Sequence, residues 1–129
     1  MKDYIMVIDD SPTIRTSVEL VLKGFGYPIR QAENGLDALN KISCIRDEGD
    51  DVKMCVVDIN MPEMDGLTFI KEFRKNDRFV PIVVLTTEAD QAKISAGKDL
   101  GASGWLLKPF KVDELTGVVS RFIRQEVSA

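Results

Sequence analysis

The chain contains no histidine. That excludes histidine-based general-base catalysis, and it excludes the chain as its own histidine phosphodonor. Its two cysteines, Cys44 and Cys55, lack CxxC spacing and lie in apolar contexts. They read as small buried hydrophobes in a reducing compartment rather than as a disulfide or metal site. No apolar stretch approaches the ~18 residues of a membrane span, and the start carries neither a basic leader nor an apolar signal segment. The expectation is a cytoplasmic protein without membrane insertion. Basic charge is short as well, with 17 Lys and Arg against 21 Asp and Glu and no basic tail. Nothing builds a strong nucleic-acid footprint. Neither a GxGxxG turn nor a GxxxxGK[ST] loop follows the first apolar run, which removes the dinucleotide and P-loop readings.

What is present is the length and composition of one globular domain, expected over 1–129. Apolar runs alternate with amphipathic segments. Runs at 4–8, 28–32, 54–57, 82–85 and 104–107 read as strands, and Pro28 argues that the second lies at a sheet edge. Ser11-Pro12 reads as a cap and first helical residue, with Ile14, Val18, Val21, Leu22 and Phe25 on one face behind it. Asn34 caps a second helix with a stripe of Leu36, Leu39, Ile42 and Ile45, and an acidic, solvated loop spans 46–53. Leu67, Ile70 and Phe73 mark a third helix. The thin stripe of Ala89, Ala92, Ala96 and Leu100 predicts a fourth that is weakly anchored and partly mobile. Leu115, Val118, Val119, Phe122 and Ile123 mark the last. Strict alternation of strand and helix predicts an α/β fold, an open sheet with helices on both faces. Ligands then sit beyond the carboxyl ends of the strands.

Four of these runs end in polar residues. The first ends in Asp9-Asp10, the third in Asp58, the fourth in Thr86 and the fifth in Lys108-Pro109. An aspartate at a strand end is by itself often a turn former or cap. Four such ends on one sheet edge make a different object, a place for a hard cation and a phosphoryl group. Three clustered carboxylates are costly without a cation. With oxygen donors only, that cation is Mg²⁺ or a similarly hard ion. Asp10 and Asp58 are the expected direct ligands, completed by the Asn60 backbone carbonyl, while Asp9 orients water or hydrogen-bonds behind them. Asp58 is the expected nucleophile and phosphoacceptor. Lys108 supplies charge for the transferring oxygens, and the Thr86 hydroxyl bonds to one of them after transfer. Pro109 holds Lys108 extended.

These residues resemble a response-regulator receiver domain over essentially the whole chain. Asp9-Asp10 resemble the family's acidic pair, Asp58 its phosphoacceptor, Thr86 its hydroxyl position, and Lys108-Pro109 its lysine–proline pair. The resemblance implies a doubly wound, flavodoxin-like five-stranded parallel sheet of order 2-1-3-4-5, a three-layer sandwich; the residues alone do not choose that order. It also implies Mg²⁺-dependent capture of phosphate from a histidine kinase and slower self-catalysed hydrolysis. Leu85-Thr86-Thr87-Glu88-Ala89 and Gly104-Trp105-Leu106-Leu107-Lys108-Pro109-Phe110 are similar to the stand-alone chemotaxis members. That similarity implies a CheA-like chemotaxis kinase as donor, a flagellar motor switch protein or another downstream protein as output partner, and a monomer. The aromatic switch position, usually tyrosine or phenylalanine in the family, here holds Trp105. The output face is expected on residues 89–100, the Trp105 strand and the last helix.

Three alternatives stand beside this reading. A relay or stress-signalling receiver shares every residue above. A small aspartate-nucleophile phosphatase wants an aspartate two residues after its nucleophile, where this chain has Asn60, and an inserted cap that the chain does not have. A purely structural interaction module would need none of these site residues.

Overall fold

The computed structural model describes residues 1–125. The end of the expected 1–129 domain, residues 126–129, lies outside them. Five strands, β1 (Asp3–Ile8), β2 (Ile29–Ala32), β3 (Asp51–Val57), β4 (Ile82–Thr86) and β5 (Gly104–Leu107), alternate with five helices. These are α1 (Pro12–Leu22), α2 (Gly35–Asp47), α3 (Gly66–Arg74), α4 (Gln91–Leu100) and α5 (Val112–Val119), with a short 3-10 turn at Lys23–Phe25. All strand pairs are parallel, in the order β2-β1-β3-β4-β5. The Pro28 expectation holds, since β2 is an edge.

Successive strand residues face opposite sides of the sheet and so build two cores. Ile5, Val7, Met54, Val56, Val83 and Leu85 pack with Val18 and Leu22 of α1 and Leu115 and Val119 of α5. Met6, Ile8, Cys55, Val57 and Val84 pack with Ala38 and Ile42 of α2 and Phe69, Ile70 and Phe73 of α3. Strand residues buried on both faces must be apolar, which is why 4–8, 54–57 and 82–85 read as continuous runs, while Asp51 and Lys53 at the start of β3 are only half-buried. Ser11 caps α1 by accepting from the Ile14 amide, with Pro12 in the first turn, and Asn34 caps α2 by accepting from the Asp37 amide. Among the described residues no helix is long and apolar enough to cross a membrane.

Several expectations need correction. Cys55 is buried, but Cys44 is exposed. It lies on the outer side of α2, whose inward positions are Ala38, Ile42 and Ile45. Leu36, expected in that stripe, is also exposed; it sits in the first turn, two residues ahead of Ala38. The acidic segment 46–53 is mostly not a loop: α2 runs to Asp47 and β3 starts at Asp51. Arg46, Asp50 and Asp51 are bonded, while Asp47 and Glu48 are exposed as expected. Asp50 accepts from the Lys2 amide at 2.8 Å, and the Arg46 guanidinium bridges Asp51 (3.0 Å) and Asp77 (2.6 Å). Burial would push the Asp77 carboxyl up, but the Val80 and Phe79 amides and Arg46 outweigh it and hold it below the usual range.

Helix α4 begins at Gln91 behind the Asp90 cap, so Ala89 precedes it, and both Ala89 and Ala92 are exposed. The weak anchoring expected from its thin stripe matches its burial, for Gly97 is its one buried residue. Helix α5 stops at Val119, and the chain continues in turns that still bury Ile123.

Candidate functional site

Parallel strands deliver their carboxyl ends to one edge. β1 and β3 finish side by side, Ile8 opposite Val57, and the Asp58 amide continues the ladder by donating to the Ile8 carbonyl at 3.0 Å. On the other side the Lys108 amide donates to the Thr86 carbonyl at 2.8 Å, carrying the β4–β5 pairing one residue further. The Lys108–Pro109 peptide is cis.

This edge brings together Asp9, Asp10, Asp58 and Lys108. The three carboxylates each offer an oxygen within 4.8 Å of the others. Lys108 Nζ donates to Asp9 Oδ2 at 2.6 Å and to Asp58 Oδ2 at 3.3 Å. Asp9 and Asp58 are buried and Asp10 is exposed. Burial pushes the Asp9 carboxyl above its ordinary value, although the Lys108 ammonium and the Ser11 amide pull against it. Asp58 Oδ1 accepts from its neighbour's amide, Ile59, at 2.7 Å, which leaves Oδ2 facing the ammonium.

Asn60 and Thr86 stand beside this cluster. Thr86 is fully buried, and its hydroxyl accepts from the Glu88 amide at 3.2 Å. Asn60 is exposed, with its side chain near the Glu88 carboxylate. The Asp90 amide and the Lys93 ammonium help hold that carboxylate below its usual range. Glu88 therefore bonds to one predicted site residue, Thr86, and neighbours another, Asn60, a place sequence reasoning missed. The one available signal was its place two residues beyond Thr86.

Trp105 is half-buried on β5, opposite Val84. Its indole lies against α4 at Gly97, where an added Cβ would stand 2.8 Å from Cζ3. The indole Nε1 is buried with no hydrogen-bond partner among the described residues.

Does this donor set suit a metal? Three carboxylates against one ammonium leave excess negative charge at a partly buried point, which a divalent cation offsets. All three are hard oxygen donors, and no described residue hydrogen-bonds or ion-pairs with the Asp10 carboxylate. That chemistry fits Mg²⁺, which commonly takes one or two carboxylates and keeps its waters.

Comparison with known proteins agrees with the geometry. The family model for the response regulator receiver domain matches residues 5–120. Chemotaxis protein CheY1 of Helicobacter pylori is 36% identical over 109 residues, 82% of this chain and 85% of that protein. Response regulator MprA of Mycobacterium bovis is 33% identical over 125 residues, 97% of this chain and 52% of that protein. The structure of Vibrio cholerae chemotaxis protein CheY4 superposes with a TM-score of 0.84 at 35% identity, covering 95% of this chain and all of that one. The matched span runs from inside β1 to just beyond α5 and takes in every strand end at this edge. The chain thus belongs to the response-regulator receiver family, as a phosphorylation-activated, Mg²⁺-using regulator of a two-component system.

Proposed function

We propose that Asp58 takes a phosphoryl group from a CheA-like histidine kinase, and that the protein then signals to a flagellar motor switch protein. The observation that carries this is Lys108 Nζ lying between the carboxylates of Asp9 and Asp58, at 2.6 and 3.3 Å. In this reading Asp10, Asp58 and the Asn60 backbone carbonyl hold Mg²⁺, and Asp9 orients water and Lys108 behind them. When bound, the ion offsets the carboxylate charge and that of the transferring oxygens. The Asp58 oxygen not held by Ile59 attacks phosphorus. The bond from phosphorus to the donor imidazole breaks, and the imidazole leaves with the electron pair and takes a proton. Lys108 neutralises charge on the phosphoryl oxygens. Hydrolysis returns Asp58 to a carboxylate and releases phosphate.

Thr86 and Trp105 form the switch in this proposal. The Thr86 hydroxyl exchanges the Glu88 amide for a phosphoryl oxygen, and Trp105 moves into the space behind it. Burying the unpaired indole N–H costs about 1–3 kcal/mol, so the present packing is not deep and the lightly anchored α4 is easy to bias. The setting is a monomeric receiver domain over 1–129 in the cytoplasm. The phosphatase alternative is disfavoured by Asn60 where an acid would be needed.

Loading with beryllofluoride and Mg²⁺ tests the proposal. It is expected to tighten binding to a flagellar switch protein about tenfold and to shift amides of residues 89–105 and α5. Shifts confined to the loops after Asp10, Asp58 and Lys108, with unchanged affinity, would mean signalling through another face. Lys108→Ala is expected to fold but to take phosphate from acetyl phosphate about a hundredfold more slowly. Mg²⁺ should raise its melting temperature more than that of wild type, because the metal then replaces the lost cation. Wild-type phosphorylation together with wild-type phosphate-dependent binding would refute the role of Lys108.

A further inference from the structure

Arg15 takes no part in that chemistry, yet its guanidinium ends on the backbone of the acid pair. It sits in the first turns of α1, half-buried. Nη1 donates to the Asp9 carbonyl oxygen at 2.6 Å, and Nε donates to Gln31 Oε1 on the edge strand β2 at 3.0 Å. Gln31 is itself held, because its Nε2 donates to Glu19 Oε1 at 3.2 Å and its carbonyl accepts from Lys41 Nζ at 2.8 Å. The planar guanidinium has its donors in a fixed fork, so a second fixed partner sets where the first donor points.

The Asp9 carbonyl belongs to the planar peptide linking Asp9 to Asp10. Fixing that oxygen fixes the plane, and the plane sets where the Asp10 Cα leaves it. The rest of Asp9 is engaged too. Its amide donates to the Ala32 carbonyl at 3.1 Å, Oδ1 accepts from the Ser11 amide at 2.9 Å, and Oδ2 accepts from Lys108. Asp10, by contrast, is exposed and has no side-chain partner among the described residues. Its carboxylate is therefore aimed by its backbone, and Arg15 is the side chain that holds that backbone.

We propose that Arg15 is a positioning residue for the metal-binding carboxylate of Asp10, acting through the Asp9–Asp10 peptide and braced by Gln31. This rests on the reading that Asp10 holds Mg²⁺. Groups that orient metal ligands from behind change affinity by about tenfold or more when removed. A lysine at this position could still reach the carbonyl as a point charge, but without the second, orienting bond.

The test is Mg²⁺ binding to the intact protein by titration calorimetry, with exchange of the Ser11 amide followed in the absence of metal. Arg15→Ala is expected to weaken Mg²⁺ about tenfold and to speed Ser11 exchange, with the exchange of core β3 amides unchanged. Arg15→Lys should recover part of the affinity. Gln31→Ala, which keeps the guanidinium but removes its brace, should show a smaller loss in the same direction. At saturating Mg²⁺, phosphorylation of R15A by acetyl phosphate should return to the wild-type rate. Asp10→Asn separates the two ideas. Wild-type Mg²⁺ affinity in R15A, alongside a clear loss in D10N, overturns the positioning role and leaves the site reading intact. Wild-type affinity in D10N overturns the site reading and this proposal with it.

Discussion

Replacing Gly66 with alanine is expected to cost about 3 kcal/mol of stability and to slow phosphorylation of Asp58 by at least an order of magnitude. Gly66 opens α3 and donates its amide to the Ile59 carbonyl at 2.9 Å, so the helix start is pressed onto the strand end that carries Asp58. A Cβ at Gly66 would overlap the Asp58 carbonyl oxygen and stand 2.9 Å from the Ile59 Cα. Both are backbone atoms, which have no rotamer to retreat into. Either α3 lifts or the Asp58–Ile59 peptide turns, and the second outcome breaks the 2.7 Å bond from the Ile59 amide to Asp58 Oδ1. Gly117 in α5 is the control, because an added Cβ there meets nothing within 4 Å. Gly117→Ala should gain about 0.5–1 kcal/mol from helix propensity. Denaturant midpoints and acetyl phosphate labelling rates of the two variants check this directly. A G66A protein with wild-type midpoint and rate would show that the tight approach at Asp58 is not needed.

The glycine constraint illustrates which parts of this protein its sequence discloses. Strands β1, β3 and β4 were legible because residues 4–8, 54–57 and 82–85 are buried on both faces and had to be apolar; the first half of β3, with half-buried Asp51 and Lys53, was not. Caps at Ser11 and Asn34 were legible because a short polar side chain before an apolar stripe has one common use. The candidate site was legible through position: two acids and an ammonium each just past a strand, and a hydroxyl on the last residue of one. Strand order was not, since right-handed crossovers allow several orders and only the resemblance chose one. The seat of Trp105 was hidden because its partner, Gly97, contributes by having no side chain, and an apolar stripe cannot register that. Arg15 and Asp77 were hidden for another reason. Their partners lie across the chain or on backbone atoms, and a charged residue on a helix or in a turn reads as solvated until the fold closes around it. Cys44 misled in the opposite sense, since apolar neighbours in a helix sequence say nothing about the face that a residue occupies.

The proposed phosphoryl transfer turns on one oxygen atom of one side chain. Asp58 is the singly placed carboxylate at the end of β3, with Oδ1 tied to Ile59 and Oδ2 toward Lys108. Asparagine keeps its shape but has no anionic oxygen to attack phosphorus and one charge fewer for Mg²⁺. Asp58→Asn should still fold, because Lys108 keeps its 2.6 Å partner in Asp9 and the like-charge crowding is relieved. Its denaturant midpoint in the absence of metal is expected to equal or exceed that of wild type. The deciding measurement is intact mass after incubation with acetyl phosphate. Wild type with Mg²⁺ should gain the mass of one phosphoryl group, while wild type in excess EDTA and D58N with Mg²⁺ should gain none. Equal labelling of D58N, or undiminished labelling of wild type without divalent metal, would contradict the account.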